Sequence, residues 1–209
     1  QSGRRQRQMC IRDSINAHDH ITFTQYPPVC HVDGSLPVCN GEERYDHRHE
    51  WRKGLNGKTK LSVTQNFYNK GETWGELRLL FSGTTSVLGS GGEPGFLRNL
   101  DKPNLLEGLG KPAAEYDTFP LGDASGTLSN SGCGPYNLDF GFDIEKEFAY
   151  CPHVAEGIND YALNEFLCLS GLNPGSIDIL APNSAFIHGI GITATEVALM
   201  AGEGTGLIW

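Results

Sequence analysis

At 209 residues the chain is long enough for one large domain or two small ones, and its 38% apolar and 20% charged residues are an ordinary globular composition. A net charge of −9 excludes a general nucleic-acid binder, which needs an excess of Lys and Arg against phosphate. No apolar run approaches the length of a membrane-spanning helix, and the first residues lack the apolar core of a signal peptide.

Residues 1–14 hold four Arg against one Asp and show no apolar periodicity. Their QRQMCIRDS core resembles translated sequencing-adapter read-through, with a genuine basic tail as the alternative, so the functional reading begins at residue 15. Residues 15–18 read as the end of a strand. Residues 21–58 form a long polar loop rich in Pro, Gly, His and Arg, and 61–64 a possible short strand. Thr73-Trp74-Gly75-Glu76 has capping-box spacing and predicts a helix with Trp74, Leu77, Leu80 and Phe81 on one apolar face, ended by Gly83. Thr84 to Leu88 follows as a strand, the return half of an α/β unit. The stretch 89–145 is dominated by turn residues, with strand character near 116–121. Its glycine cluster lacks the G-K-[ST] ending of a phosphate loop.

Order returns at Phe148-Ala149-Tyr150, which leads into His153. A helix is expected over 159–169 with Ala162, Phe166 and Leu169 on one face, and strands over 177–180 and 184–188. Thr193-Ala194-Thr195-Glu196 forms a second capping box with Ile192 and Val197 placed as a staple, and 206–209 starts a further strand. Alternation of strands and helices predicts an α/β fold with a parallel sheet. A chain that stops inside an apolar strand leaves backbone groups without partners, so truncation at both ends is expected, with an unpaired edge at 205–209 and poor solubility. Cysteine leaves the compartment open between cytoplasm and periplasm. There is no C-x-x-C, which removes zinc ribbons and cysteine-ligated deaminases; Cys30 and Cys39 could pair, and the odd count outside the tail leaves a thiol over.

Four of seven histidines stand where an apolar run stops: His18, His20, His153 and His188. In parallel α/β folds such positions face the functional mouth. In a strand, His18-x-His20 would place both imidazoles on one face, able to grip one ion. A second H-x-H, His47-Arg48-His49, lies among charged residues with no apolar strand before it. It reads as a solvated rim segment, with metal binding or substrate contact as alternatives, and His31 reads as exposed. Glu156 follows His153 by three residues; as packing alone it would be a first-turn carboxylate favoured by the helix dipole.

Asn16-Ala17-His18-Asp19-His20 resembles the first-strand H-x-H of the amidohydrolase superfamily, and His153-Val154-Ala155-Glu156-Gly157 the fifth-strand H-x-x-E of its deaminase and chlorohydrolase branch. Ser82-Gly83-Thr84-Thr85-Ser86-Val87 resembles the second strand, and Phe186-Ile187-His188-Gly189 the sixth. The resemblance implies an incomplete, distorted (β/α)8 TIM-type barrel over 15–209. It implies His18, His20 and His153 as ligands of one divalent ion, zinc or else iron, with Glu156 as proton shuttle and His188 beside a small-molecule substrate. The family's last ligand, an Asp on the eighth strand, would lie beyond Trp209. Binuclear members use a carbamylated Lys on the fourth strand; Lys102, Lys111 and Lys146 do not end apolar runs, which favours a single ion. The implied activity is hydrolysis of a C–N bond in a cyclic amide, amidine or amino-substituted ring, with Arg44, His47, Arg48, His49 or Trp51 contributing specificity. The alternatives are a peptidase or dehalogenating member, or a catalytically incompetent metal-binding fragment.

Overall fold

The computed structural model describes residues 14–24, 43–62, 70–89, 91–139 and 143–209. In chain order these form β1 (Ser14–Asn16), α1 (Arg48–Lys53), α2 (Gly71–Phe81), β2 (Thr84–Val87), β3 (Arg98–Asn99), β4 (Glu115–Asp117), β5 (Tyr150–Val154), α3 (Asp160–Leu169), β6 (Ala185–His188), α4 (Ala194–Glu203) and β7 (Gly206–Ile208). The suggested Cys30–Cys39 pair, His31 and residues 1–13 and 63–64 lie outside the described residues. The protein is α/β, with two parallel sheets ordered β1-β2-β3 and β4-β5-β6-β7. It divides into two compact units, Gln1–Tyr26 with Gln65–Ala114, and Pro27–Thr64 with Glu115–Trp209.

In the first unit α2 precedes β2, and Leu79 and Leu80 pack on a small core of Ile21, Val87 and Leu97. The helix starts at Gly71, so the expected Thr73–Glu76 capping box does not form. Glu76 is instead buried, accepting hydrogen bonds from the Glu93 and Leu97 amides and from Asn99 Nδ2 (3.1, 3.0 and 2.7 Å). Three donors satisfy the carboxylate and draw that side of the helix inward. The inward face is therefore shifted from the one apolar periodicity suggests, and Trp74 and Phe81 are 55% and 81% exposed.

The core of the second unit is Leu121, Tyr150, Val154, Phe166, Leu169, Ile179, Phe186 and Met200 with their neighbours. Asn159 caps α3 through its side chain, and Ala162, Phe166 and Leu169 all face inward as periodicity predicts. The Thr193–Glu196 capping box opens α4 as expected. Residues 177–180 make only an isolated bridge, Ser170 to Asp178, and no strand. Between β4 and β5 the described residues form no α-helix. Two side-chain anchors hold that segment: Asn164 Nδ2 donates to the Ser129 and Gly132 carbonyls (3.0 Å each), and Tyr136 donates to the Ser129 carbonyl (3.3 Å). A disulfide, Cys133–Cys168, ties the same segment to α3, and Cys151 is a buried free thiol.

That disulfide spans 35 residues. Loop-closure entropy for such a span gives a stabilisation of about 4 kcal/mol. The double variant Cys133→Ser/Cys168→Ser is expected to lose about that much in urea unfolding, with a steeper slope because the unfolded chain without the crosslink exposes more surface. An unshifted urea midpoint would mean that the Asn164 and Tyr136 contacts alone hold the segment.

Candidate functional site

In the first unit β1 ends at Asn16, so His18 and His20 follow the strand and are not in its pleat. A turn built by Asp19 sets their relation. Asp19 Oδ1 accepts from the His20 amide and Oδ2 from Asn16 Nδ2, both at 2.7 Å, while the Asp19 amide donates to the Leu88 carbonyl (2.9 Å). Gly89 lets β2 approach this turn: a β-carbon there would stand 1.7 Å from the Asp19 carbonyl oxygen. The two imidazole centroids lie 5.3 Å apart, edge to face.

In the second unit His153, Glu156 and His188 come together at the carboxyl ends of β5 and β6, where Val154 is in register with His188. His153 Nδ1 lies 3.0 Å from the Asp117 carbonyl, which can only accept, so Nδ1 carries the proton. Nε2 is thereby the lone-pair nitrogen, and it faces the Tyr116 hydroxyl at 3.2 Å. A carbonyl behind one ring nitrogen is how proteins fix a histidine to ligate through the other. The His153 and His188 rings are 5.1 Å apart, and His188 Nε2 is 3.3 Å from Glu156 Oε2. Burial would raise the Glu156 carboxyl, but the His188 hydrogen bond and the positive charge around it, Arg48 included, prevail and hold it down at about 2. Ala155 and His188 both have positive φ (55° and 78°), a strained conformation for residues with a β-carbon that clusters at functional sites.

The second H-x-H is not a solvated rim. His47, Arg48 and His49 are 2%, 1% and 0% exposed, because the segment folds into the second unit's interior. His47 caps α1, accepting at Nδ1 from the His49 amide (3.2 Å), and its Nε2–H donates to Glu165 Oε1 (3.0 Å). Arg48 donates to Asp123 Oδ2 (2.5 Å) and the Thr118 carbonyl (2.8 Å), and pairs with Glu165 at 3.7 Å and Glu156 at 3.8 Å. Of the other loop residues suggested for specificity, Arg44 pairs with Asp46 and Trp51 is exposed. A readable signal for α1 existed in Glu50 in the first turn, Arg52 and Lys53 in the last, and Gly54 after it at φ 74°.

His49, Asp123 and Glu165 offer donor atoms within 4.8 Å of one another, a grouping that could hold a metal ion. As arranged, Arg52 donates to His49 Nδ1 (2.8 Å), which leaves the proton on Nε2, directed at Asp123 (2.7 Å). An ion here would have to displace both that proton and the Arg48 guanidinium. β4 consists of Glu115, Tyr116 and Asp117 and carries no lysine. Neither a known protein family nor a curated protein nor a solved structure matches the chain.

Burial acts to raise Asp123, but the His49 hydrogen bond and the Arg48 charge outweigh it and hold the carboxyl below its ordinary value. A carboxylate depressed in this way contributes stability that is present above its unfolded pKa, about 4, and lost as pH falls through the lower folded value. Asp123→Asn is expected to cost about 3–5 kcal/mol at neutral pH by leaving Arg48 underpaired, and to flatten the stability slope below pH about 4. Thermal melts from pH 7 to pH 3 check both; an unchanged acid slope would show that Asp123 is not depressed.

Proposed function

We propose that the chain is a metal-dependent hydrolase of C–N bonds in cyclic amides, amidines or amino-substituted rings, similar to the amidohydrolase superfamily. The observation that carries this reading is the meeting of His153, Glu156 and His188 at the carboxyl ends of two parallel strands, with the His153 tautomer set for ligation. Strands that follow one another in chain order within each parallel sheet suit a (β/α)8-type barrel, whereas a doubly wound sheet reverses its order. His18, His20 and His153 are assigned as ligands of a single divalent ion, zinc or iron. Imidazole donors suit both metals, and a β4 without lysine favours one ion over two. Bound there, such an ion supplies Lewis acidity and lowers the pKa of water to about 7.

The chain's own residues divide the remaining work. Glu156 is ionised at neutral pH and so can accept a proton from the attacking water. His188, within hydrogen-bond reach of Glu156, orients the carboxylate and can donate toward an oxygen gaining negative charge. The Asp117 carbonyl holds the His153 ring in place.

Metal analysis together with turnover on a panel of cyclic amides, cyclic amidines and aminoheterocycles tests the assignment. His153→Ala is expected to lose both metal and activity. Glu156→Gln should keep the metal while turnover falls roughly 10²–10⁴-fold, and His188→Ala should keep the metal and turn over slowly. Metal binding without turnover on any substrate would favour a non-catalytic metal-binding protein. A Glu156→Gln chain with normal kcat would remove Glu156 from the mechanism.

A further inference from the structure

The proton transfer assigned to Glu156 depends on a turn that resists forming. Ala155 stands at φ 55°, where its β-carbon crowds the backbone and where glycine would rest without strain. The turn directs the chain from His153, on β5, to Glu156, beside His188. Something outside the turn must hold it, and the buried polar groups not used by the chemistry converge on it. Glu165 of α3, fully buried, accepts the Ala155 amide on Oε2 (3.1 Å) and the His47 Nε2–H on Oε1 (3.0 Å). The Arg48 amide donates to the Glu156 carbonyl (3.0 Å) and the Ile158 amide to the Asp46 carbonyl (2.8 Å), so the chain around His47 lies alongside Gly157. Gly157 makes that approach possible: a β-carbon there would lie 2.5 Å from the Asp46 carbonyl oxygen and 3.0 Å from His47 Cα. The far side of the turn is held by Ile190 and Gly191 amides donating to the Ala155 carbonyl (3.1 and 3.2 Å).

We infer that His47 and Glu165 are positioning residues that clamp Ala155 in its left-handed conformation and thereby hold Glu156 against His188. The second H-x-H motif then serves the candidate site from behind, through a carboxylate and a backbone amide, without touching substrate. A packing role alone would be filled by an apolar side chain of similar volume and would not require a buried carboxylate bonded through both oxygens. The inference rests on Glu156 as the proton-transfer group, and its test is chosen to stand apart from that assignment.

In the metal-free protein, the ring-proton NMR signals of His188 report its pairing with Glu156. Glu165→Ala is expected to shift them toward those of a Glu156→Gln protein, and adding Ala155→Gly should return them toward wild type, since glycine adopts the turn unaided. In the metal-loaded protein, Glu165→Ala should lower kcat roughly 10²-fold with KM and metal content nearly unchanged, and Ala155→Gly should recover part of the loss. A general loss of structure would not be repaired by adding a glycine. If Glu165→Ala fails to fold, Glu165→Gln keeps the volume and an acceptor for Ala155 but breaks the His47 arm, and a smaller shift in the same direction is expected. Unmoved His188 signals in a folded Glu165 variant, or a shift that Ala155→Gly does not reverse, would overturn the clamp. Should wild type show neither metal nor turnover, the hydrolase reading falls, and the metal-free signals alone decide the clamp.

Discussion

The second unit is organised around one buried guanidinium. Arg48 faces Asp123 from the segment after β4, Glu165 from α3 and Glu156 from the turn after β5. The fully buried carboxylates of Asp123 and Glu165 each carry a desolvation penalty of several kcal/mol, and without the arginine they and the partly buried Glu156 would repel one another. With it, three segments distant in sequence are drawn to one point. The Phe119 ring lies beside both Arg48 and Arg52, with guanidinium carbons 5.1 and 4.2 Å from its centroid, so the cations also have a π-face.

What the sequence disclosed and what it concealed divide along this physical line. Elements that bury apolar side chains at regular intervals were legible: β2, β5, β6 and α3, together with the capping box of α4. His153 and His188 stand out because they lie at the ends of the buried runs of β5 and β6, whereas His18 and His20 follow a strand whose Ile15 is exposed. α1 was missed despite its charge and Gly54 signals because it is only six residues long and buries Arg48, His49 and Glu50 in place of an apolar stripe. Its partner Asp123 lies 75 residues away, and no local period records a contact of that range. Glu76 misled for the same reason. Its spacing from Thr73 suggested a cap, while its role comes from amides at Glu93 and Leu97. The Cys133–Cys168 link joins two cysteines with no spacing signature, one of them inside a helix.

The two histidine clusters, one in each unit, are built by different means. Around His18 and His20, short-range bonds from Asp19 and a close approach at Gly89 shape the turn. Around His153, Glu156 and His188, the strained Ala155 is held by contacts reaching back to His47 and across to α3. Local conformational preference is overruled there by tertiary structure, as is common where side chains must be aimed for chemistry.

The disulfide gives this second arrangement a covalent boundary. Cys133 and Cys168 close a ring of chain that contains β5, the Ala155 turn and most of α3. His153, Glu156 and Glu165 are threaded on that ring, whereas His47, Arg48 and His188 approach it from outside. In the unfolded protein the ring is more confined than an uncrosslinked segment of the same length, with fewer conformations open to it. The left-handed turn at Ala155 is thus selected from a reduced ensemble, and part of the entropy of ordering it is surrendered when the sulfurs join, before the turn itself forms.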